Sequence, residues 1–188
     1  MAFLAQLWLP IVVSAVLVFV ASSLIHMVIK WHNSDYRKLT NEEDVRAVVR
    51  AGAPSPGQYV VPHCLEMKEM QSAEMQRKFQ EGPVAFVTIR PSGQPSMGQP
   101  LVLWFVFTLF VSVIAAYLAS KAFLEPSTFL GTCRLVGGVA FLAYAGGSIQ
   151  QGIWMGRPWD SVLKDVADGA IYAAITGATF AWLWKPLS

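Results

Sequence analysis

The sequence is poor in charged residues and almost free of cysteine. Only 14% of its 188 residues are charged, whereas 54% are hydrophobic, and this balance excludes an ordinary soluble domain. The net charge of +2 gives no strongly basic surface, so we expect no nucleic-acid partner. The two cysteines, Cys64 and Cys133, are too few to build a disulfide framework.

The sequence also lacks the common catalytic signatures. It has no Walker phosphate-binding loop, no Gly-x-Ser-x-Gly nucleophile elbow, no His-Glu-x-x-His zinc motif and no dinucleotide-binding fingerprint. We find neither an internal repeat nor a low-complexity tract. The sequence therefore favours a protein that is not an enzyme, and it predicts no cofactor.

Four long apolar stretches account for the hydrophobic excess. We predict membrane-spanning helices at about 1–30, 101–120, 129–154 and 161–184. Trp8 and Trp31 bracket the first stretch and stand about 34 Å apart on a helix, which suits a bilayer with its two interfaces. A cleaved signal peptide is the rival interpretation, but the basic start of such a peptide is missing. A tight turn at Glu125-Pro126-Ser127 is expected to join the second and third helices.

Residues 31–100 are polar and carry eight basic and eight acidic side chains. The run Thr40-Asn41-Glu42-Glu43 predicts a capping box at the start of a short helix. A second helix is expected from Ser72 to about Gln80, and strands are expected at Gln58–Val61 and Val84–Arg90. The predicted fold is therefore an all-α membrane protein of four transmembrane helices, with a small α/β insertion between the first and second.

Small residues recur every four positions in the last two apolar stretches. The predicted packing positions in the last stretch are Gly169, Ala173, Gly177 and Ala181, and those in the third are Ala143 with Gly147 and Ser148 with Gly152. Helices in a bilayer associate by close backbone approach, which small side chains permit. We therefore expect the third and fourth helices to form the tightest contact in the protein.

The distribution of lysine and arginine predicts the orientation of the chain. Placing residues 31–100 in the cytoplasm puts eleven of the fourteen basic residues on that side. Both termini are then periplasmic. Cys64 and Cys133 lie on opposite sides of the membrane in this arrangement, so no bridge between them is expected.

One cluster of side chains resembles a soft-metal site. His63, Cys64, Met67 and Met70 offer imidazole, thiolate and thioether groups of the kind that bind copper. Their spacing matches no closed zinc pattern. The alternative is that the methionines fill an irregular apolar interface, which is the more common use of such residues.

Charged residues near the apolar stretches are the other functional candidates. Asp165 and Asp168 lie one and two turns into the last helix, and an acidic group at membrane depth suggests a proton or cation path. The alternative places Asp168 near the interface, where Lys164 pairs with it. Arg134 is expected to reach the outer headgroups. His26 and His32 flank the inner end of the first helix and are expected to be interfacial.

Several short motifs resemble those of a family of small bacterial inner-membrane proteins that has no assigned activity. The matching residues are Trp31-His32-Asn33-Ser34-Asp35-Tyr36-Arg37-Lys38-Leu39, Gly82-Pro83-Val84, Met97-Gly98, Trp104-Phe105, Gly156-Arg157-Pro158-Trp159, Asp168-Gly169 and Trp182-Leu183-Trp184. The resemblance implies a bacterial inner-membrane location. It carries no role for any residue.

The leading hypothesis from the sequence is a non-enzymatic accessory or scaffold protein. Its small-residue faces are expected to bind its own helices and a second copy or another membrane protein, within the lipid bilayer. The alternatives are a small ion or proton transporter component that uses Asp168, and copper handling at His63, Cys64, Met67 and Met70.

Overall fold

The computed structural model describes residues 2–122 and 128–184, and the chain divides into two compact units. One unit combines Met1–Arg37 with Ser96–Ser188, and the other is Lys38–Pro95. The turn expected at Glu125-Pro126-Ser127 lies outside the described residues. Each unit is described below by itself.

The chain forms seven α-helices and two strands within the described residues. The helices are α1 (Ala2–Leu24), α2 (Glu42–Ala51), α3 (Met67–Met70), α4 (Ala73–Glu81), α5 (Gly98–Ala122), α6 (Phe129–Met155) and α7 (Trp159–Leu183), and the strands are β1 (Gly57–Val61) and β2 (Ala85–Ile89). A π-helical turn at Ile25–Ile29 extends α1, and a 3-10 turn follows at Trp31–Asp35.

Four of the described helices are long and apolar enough to cross a membrane, as the sequence predicts. They are α1 with its π-turn, α5, α6 and α7, and each apolar segment is 25 to 27 residues long. In the first unit α1 packs against α5 and α7, and α6 packs against the same two helices. The four helices therefore form a closed bundle in which each helix is antiparallel to its neighbours.

The contact between α6 and α7 is the most extensive in the bundle and depends on small residues. A Cβ atom added at Gly177 would lie 2.8 Å from the carbonyl oxygen of Cys133 and 3.3 Å from the Cα of Gly137. One added at Gly169 would lie 2.9 Å from the Cβ of Ala145. The two backbones approach so closely because these positions have no side chain, or only a methyl group.

The predicted packing positions on α6 are only partly right. Gly152 is buried against Val162 and Trp159, but Ala143 and Gly147 are exposed. The buried line on α6 runs instead through residues such as Val136, Ala140 and Ala145. The four-residue spacing identifies a row of small residues but does not indicate which of several rows faces the neighbouring helix.

Polar side chains join α1 to α5 in the middle of the bundle. The hydroxyl groups of Ser14 and Ser112 lie 3.0 Å apart, and both side chains are buried. Towards the end where α1 begins and α7 ends, Leu7, Ala115 and Phe180 are fully buried in one apolar cluster. This half of the bundle is closely packed.

The second unit is a small α/β element, as predicted. Strands β1 and β2 pair antiparallel with Gly57 opposite Ile89. Ser72 caps α4 by accepting a hydrogen bond from the Met75 amide, as the sequence predicts. The predicted capping box on α2 does not form, because Asn41 is the N-cap residue and its side chain makes no capping bond. Helix α3 was not predicted, since it is a single turn too short to show periodicity.

The role of small residues predicts unequal effects of two glycine substitutions in one bundle. Gly177→Ala should lower the free energy of unfolding by about 1–3 kcal/mol, because the new methyl group meets the backbone of α6. Gly138→Ala is the matched control, since a Cβ there meets no atom within 4 Å. Thermal unfolding in detergent measures both. Equal melting temperatures for the two variants would contradict the proposed close contact.

Candidate functional site

The chain reverses sharply where α1 ends, and this turn places two histidines together. The π-turn Ile25–Ile29 ends at Lys30, whose backbone is left-handed with φ 56°, a conformation that most side chains disfavour. The following 3-10 turn folds back so that the ring of His32 stacks on that of His26. Their centroids are 4.7 Å apart and the rings are inclined by only 6°. The sequence predicts that the two histidines are interfacial, but it does not predict that their rings contact each other.

Both ring nitrogens of His32 contact carboxylates. Nδ1 lies 2.7 Å from Oδ2 of Asp35, and Nε2 lies 2.9 Å from Oδ2 of Asp168. A carboxylate can only accept a hydrogen bond unless it is protonated, so two N–H groups are needed for this arrangement. The geometry thus describes an imidazolium held between two carboxylates. Asp168 is buried within the bundle, with 4% of its surface exposed.

Burial and hydrogen bonding oppose each other in setting the pKa of His32. Burial disfavours the charged ring and lowers the pKa, but the hydrogen bonds and charges of Asp35 and Asp168 outweigh it. The net result is a pKa raised above the ordinary 6.5 of histidine. The ring therefore keeps its second proton to a higher pH than an ordinary histidine does.

Lys164 anchors the turn from the other side. Its Nζ donates hydrogen bonds to Oδ1 of Asp35 at 2.6 Å, to the hydroxyl of Ser34 at 2.7 Å and to the carbonyl of Trp31 at 3.0 Å. The predicted pairing of Lys164 with Asp168 is wrong, because the folded-back turn brings Asp35 to the lysine. Burial raises the pKa of Asp35, but the contacts with Lys164 and His32 lower it by more than burial raises it. The net pKa is therefore below its usual range.

The second acidic candidate, Asp165, pairs with Arg157. The guanidinium donates to both carboxylate oxygens from the turn that precedes α7. Oδ1 of Asp165 also lies 3.8 Å from Nδ1 of His32. Asp165, Asp168 and Lys164 thus act from one helix on the turn that follows α1.

A pocket of about 460 Å³ opens beside this cluster between the four helices of the bundle. Its walls include His26 from the end of α1, Trp104 from α5, Tyr144 and Ser148 from α6, and Asp168 and Tyr172 from α7. The rings of Trp104, Tyr144 and Tyr172 pack together with centroids 5.5–6.0 Å apart. The indole N–H of Trp104 donates to the Ser22 hydroxyl at 2.8 Å, which fixes the ring.

Three buried polar atoms on the residues that line this pocket make no hydrogen bond within the described part of the chain. They are the hydroxyl oxygens of Tyr144 and Tyr172 and Oδ1 of Asp168. Tyr172 lies close to Asp168, and Tyr144 close to Thr176, but neither pair reaches hydrogen-bond geometry. Unpaired buried polar groups are uncommon and each costs about 1–3 kcal/mol. Their occurrence around one pocket is typical of a binding site.

The same cluster meets only one requirement of a metal site. Ligand atoms of His26, His32 and Asp168 all lie within 4.8 Å of one another. However, the stacked rings direct their lone pairs in parallel planes, so one ion cannot lie in the plane of both. In addition, both nitrogens of His32 are already within hydrogen-bond distance of carboxylates. The arrangement fits a bound proton better than a bound metal.

The remaining predicted site residues lie apart from the pocket. Arg134 is on the exposed side of α6. In the second unit His63 is exposed and Met67 is 69% exposed. The thiol of Cys64 donates to the carbonyl of Glu66, and local desolvation with nearby Glu69 raises its pKa, which disfavours the thiolate that copper needs. Met70 is also exposed, and copper binding by the four residues stays a prediction.

Comparison with protein family models, with curated proteins and with solved structures finds no match. The functional interpretation therefore depends on the geometry of the site itself.

Asp35 and the aromatic residues of the pocket wall were not among the site residues predicted from the sequence. A signal for Asp35 was present, since His32 and Asp35 are spaced three residues apart immediately after an apolar helix. Tyr172 likewise follows Asp168 by four residues and shares its face of α7. The distance in sequence between His32 and Asp168 gave no such signal.

The raised pKa of His32 predicts how stability depends on pH. The protonated ring stabilises the fold fully below its ordinary pKa, and this contribution is lost as the pH rises through the raised value. The contribution of Asp35 is lost only on acidification through its lowered pKa, so it stays constant at neutral pH. The free energy of unfolding of the wild type should exceed that of His32→Gln by about 1–3 kcal/mol at pH 6 and by less at pH 9.

Thermal unfolding between pH 6 and 9 measures this difference. His63→Gln is the matched control, because His63 is exposed in the other unit and should follow the wild-type curve. A constant difference between wild type and His32→Gln across this range would show that the proton does not stabilise the fold.

Proposed function

We propose that this chain is a multi-pass membrane protein that binds a small, largely apolar molecule beside an exchangeable proton on His32, as the binding unit of a proton-linked carrier. The observation that carries the proposal is the group of three unpaired polar atoms around the pocket, on Tyr144, Tyr172 and Asp168. The function belongs to the transporter class suggested by the acidic residues of the last helix.

The pocket has the composition of a ligand site. Its wall is mostly apolar and includes the rings of Trp104, Tyr144 and Tyr172, with a few polar groups among them, which is the usual balance in sites for small molecules. A ligand that hydrogen-bonds to Asp168, Tyr144 or Tyr172 relieves the cost of leaving these atoms unpaired. The rings of Trp104 and Tyr172 already pack against each other, so these side chains need little further ordering when a ligand binds.

The distribution of polar groups favours a carrier over an open pore. The charged cluster and the pocket lie at the end of the bundle where α1 ends and α7 begins. The opposite half is closed by buried residues such as Leu7, Val136 and Phe180. A continuous conduit would need polar groups through that half, so passage of a solute requires a change of conformation.

Three probes of similar size and different charge test the binding proposal. They are 2-phenylethylammonium, 2-phenylethanol and phenylacetate, added to the full chain in nanodiscs and measured by calorimetry. At least one should bind saturably with a Kd of roughly 0.1–1 mM, which is ordinary for so few atoms. Ser148→Leu should abolish binding by filling the pocket, whereas Ser120→Leu, a serine at the far end of α5, should not.

Absence of saturable binding by all three probes would remove the proposed function. The accessory or scaffold hypothesis would then take its place, supported by the exposed small residues Gly138, Gly147 and Ala174 on α6 and α7. That hypothesis needs no pocket, so Ser148→Leu would leave it untouched.

We propose that the protein resides in a bacterial inner membrane with the Lys38–Pro95 unit in the cytoplasm and both termini in the periplasm. The excess of lysine and arginine in residues 31–100 and around Arg157 supports this orientation. The pocket then opens towards the cytoplasmic side.

Labelling of single cysteines tests the orientation. In a Cys133→Ser background, Cys64 should react with a membrane-impermeant maleimide only after the cells are permeabilised. A cysteine introduced at exposed Phe129, at the other end of α6, should react in intact cells once Cys64 is also replaced by serine. Labelling of Cys64 in intact cells would reverse the proposed orientation.

A further inference from the structure

The charges in the cluster around His32 do not balance without one exchangeable positive charge. Three carboxylates belong to the cluster, those of Asp35, Asp165 and Asp168, and two permanent cations pair with them. The two cations are Lys164, which pairs with Asp35, and Arg157, which pairs with Asp165. One negative charge remains, and it lies on Asp168.

The proton on His32 balances this remaining charge. Nε2 of His32 contacts Oδ2 of Asp168, and the Asp168 side chain is only 5% exposed. A buried carboxylate needs a positive partner, since a lone charge in a poorly solvated place is costly. If the proton on Nε2 leaves, a nitrogen lone pair faces a carboxylate oxygen at 2.9 Å and the contact becomes repulsive.

We propose that the pocket takes a lipophilic primary ammonium ion in one-for-one exchange for the proton on His32. This inference rests on the proposed function and names the class of ligand and the coupled ion. The proton passes from Nε2 of His32 to water as the ammonium group takes its place beside Asp168. The total charge of the site is then the same before and after the exchange.

The hydrogen-bonding atoms of the pocket favour a donor such as an ammonium group. Oδ1 of Asp168 can only accept, and the hydroxyl oxygens of Tyr144 and Tyr172 can accept as well. The ring of His26 also lines the pocket, and its Nε2 lies 3.9 Å from Oδ2 of Asp168.

The aromatic wall suits the rest of such a ligand. The rings of Trp104, Tyr144 and Tyr172 offer apolar surface for a hydrocarbon body, and their faces attract a nearby positive charge. A carboxylate ligand finds no unpaired cation in the described site, since Lys164 and Arg157 are both paired. The same contacts therefore disfavour an anion.

The test is calorimetric titration of the full chain in nanodiscs with 2-phenylethylammonium at pH 6, 7 and 8, in buffers of different ionisation enthalpy. Wild type should release close to one proton for each ion bound while His32 is protonated. The affinity should rise by up to about tenfold for each pH unit over that range. His26, Asp35, Asp165 and Asp168 all face His32, so the proton count is compared with that of variants.

His32→Gln separates proton exchange from a structural role. Glutamine keeps an N–H donor but cannot titrate, so binding should persist without proton release and with little dependence on pH. At pH 6 it should bind the ion more tightly than wild type does, which a merely damaged site would not do. His63→Gln is the control and should behave as wild type.

Asp168→Asn distinguishes recognition of the positive charge from binding of the apolar body of the ligand. Removing the charge should lower the affinity for 2-phenylethylammonium by at least tenfold and leave the affinity for neutral 2-phenylethanol nearly unchanged. If wild type binds 2-phenylethanol but not the ammonium ion, the inference fails and the proposed function stands. Binding of the ammonium ion without proton release in wild type, or saturable binding of Zn²⁺ alone, also overturns the inference. The wild-type proton count decides the question if a variant does not fold.

Discussion

The bond between His32 and Asp168 is the constraint on which the rest of the site depends. It joins the turn that follows α1 to the third turn of α7, and the two residues are 136 positions apart in sequence. Lys164 strengthens the same junction through Asp35. Because these charged groups neutralise one another, a carboxylate can remain buried at the end of an otherwise apolar bundle.

The irregular backbone at the end of α1 makes this bond possible. A regular α-helix through residues 25–35 would carry His32 past the end of the bundle, at a rise of about 1.5 Å per residue. The π-turn and the left-handed Lys30 end the helix and return the chain towards α7. Such departures from helical geometry often mark functional sites, and here the departure brings His26 and His32 into contact.

The sequence predicted the four long helices, both strands and the cap at Ser72, because each depends on neighbouring residues and on local hydrophobicity. It also identified Asp165 and Asp168 as candidates, since acidic residues at membrane depth are rare. It paired Lys164 with the wrong carboxylate, because the backbone turn that delivers Asp35 has no local signature. The pocket was not predictable for a related reason: its wall combines side chains from four helices, and their relative rotation is fixed only by packing.

The placement of the charged cluster at one end of the bundle has an electrical consequence. In a membrane, most of the transmembrane voltage falls across the low-dielectric layer, which here includes the closely packed half around Leu7 and Phe180. A proton or cation that reaches His32 from the near side crosses little of that field. Exchange at the site is therefore nearly insensitive to voltage, and the voltage acts on whatever conformational step opens the sealed half.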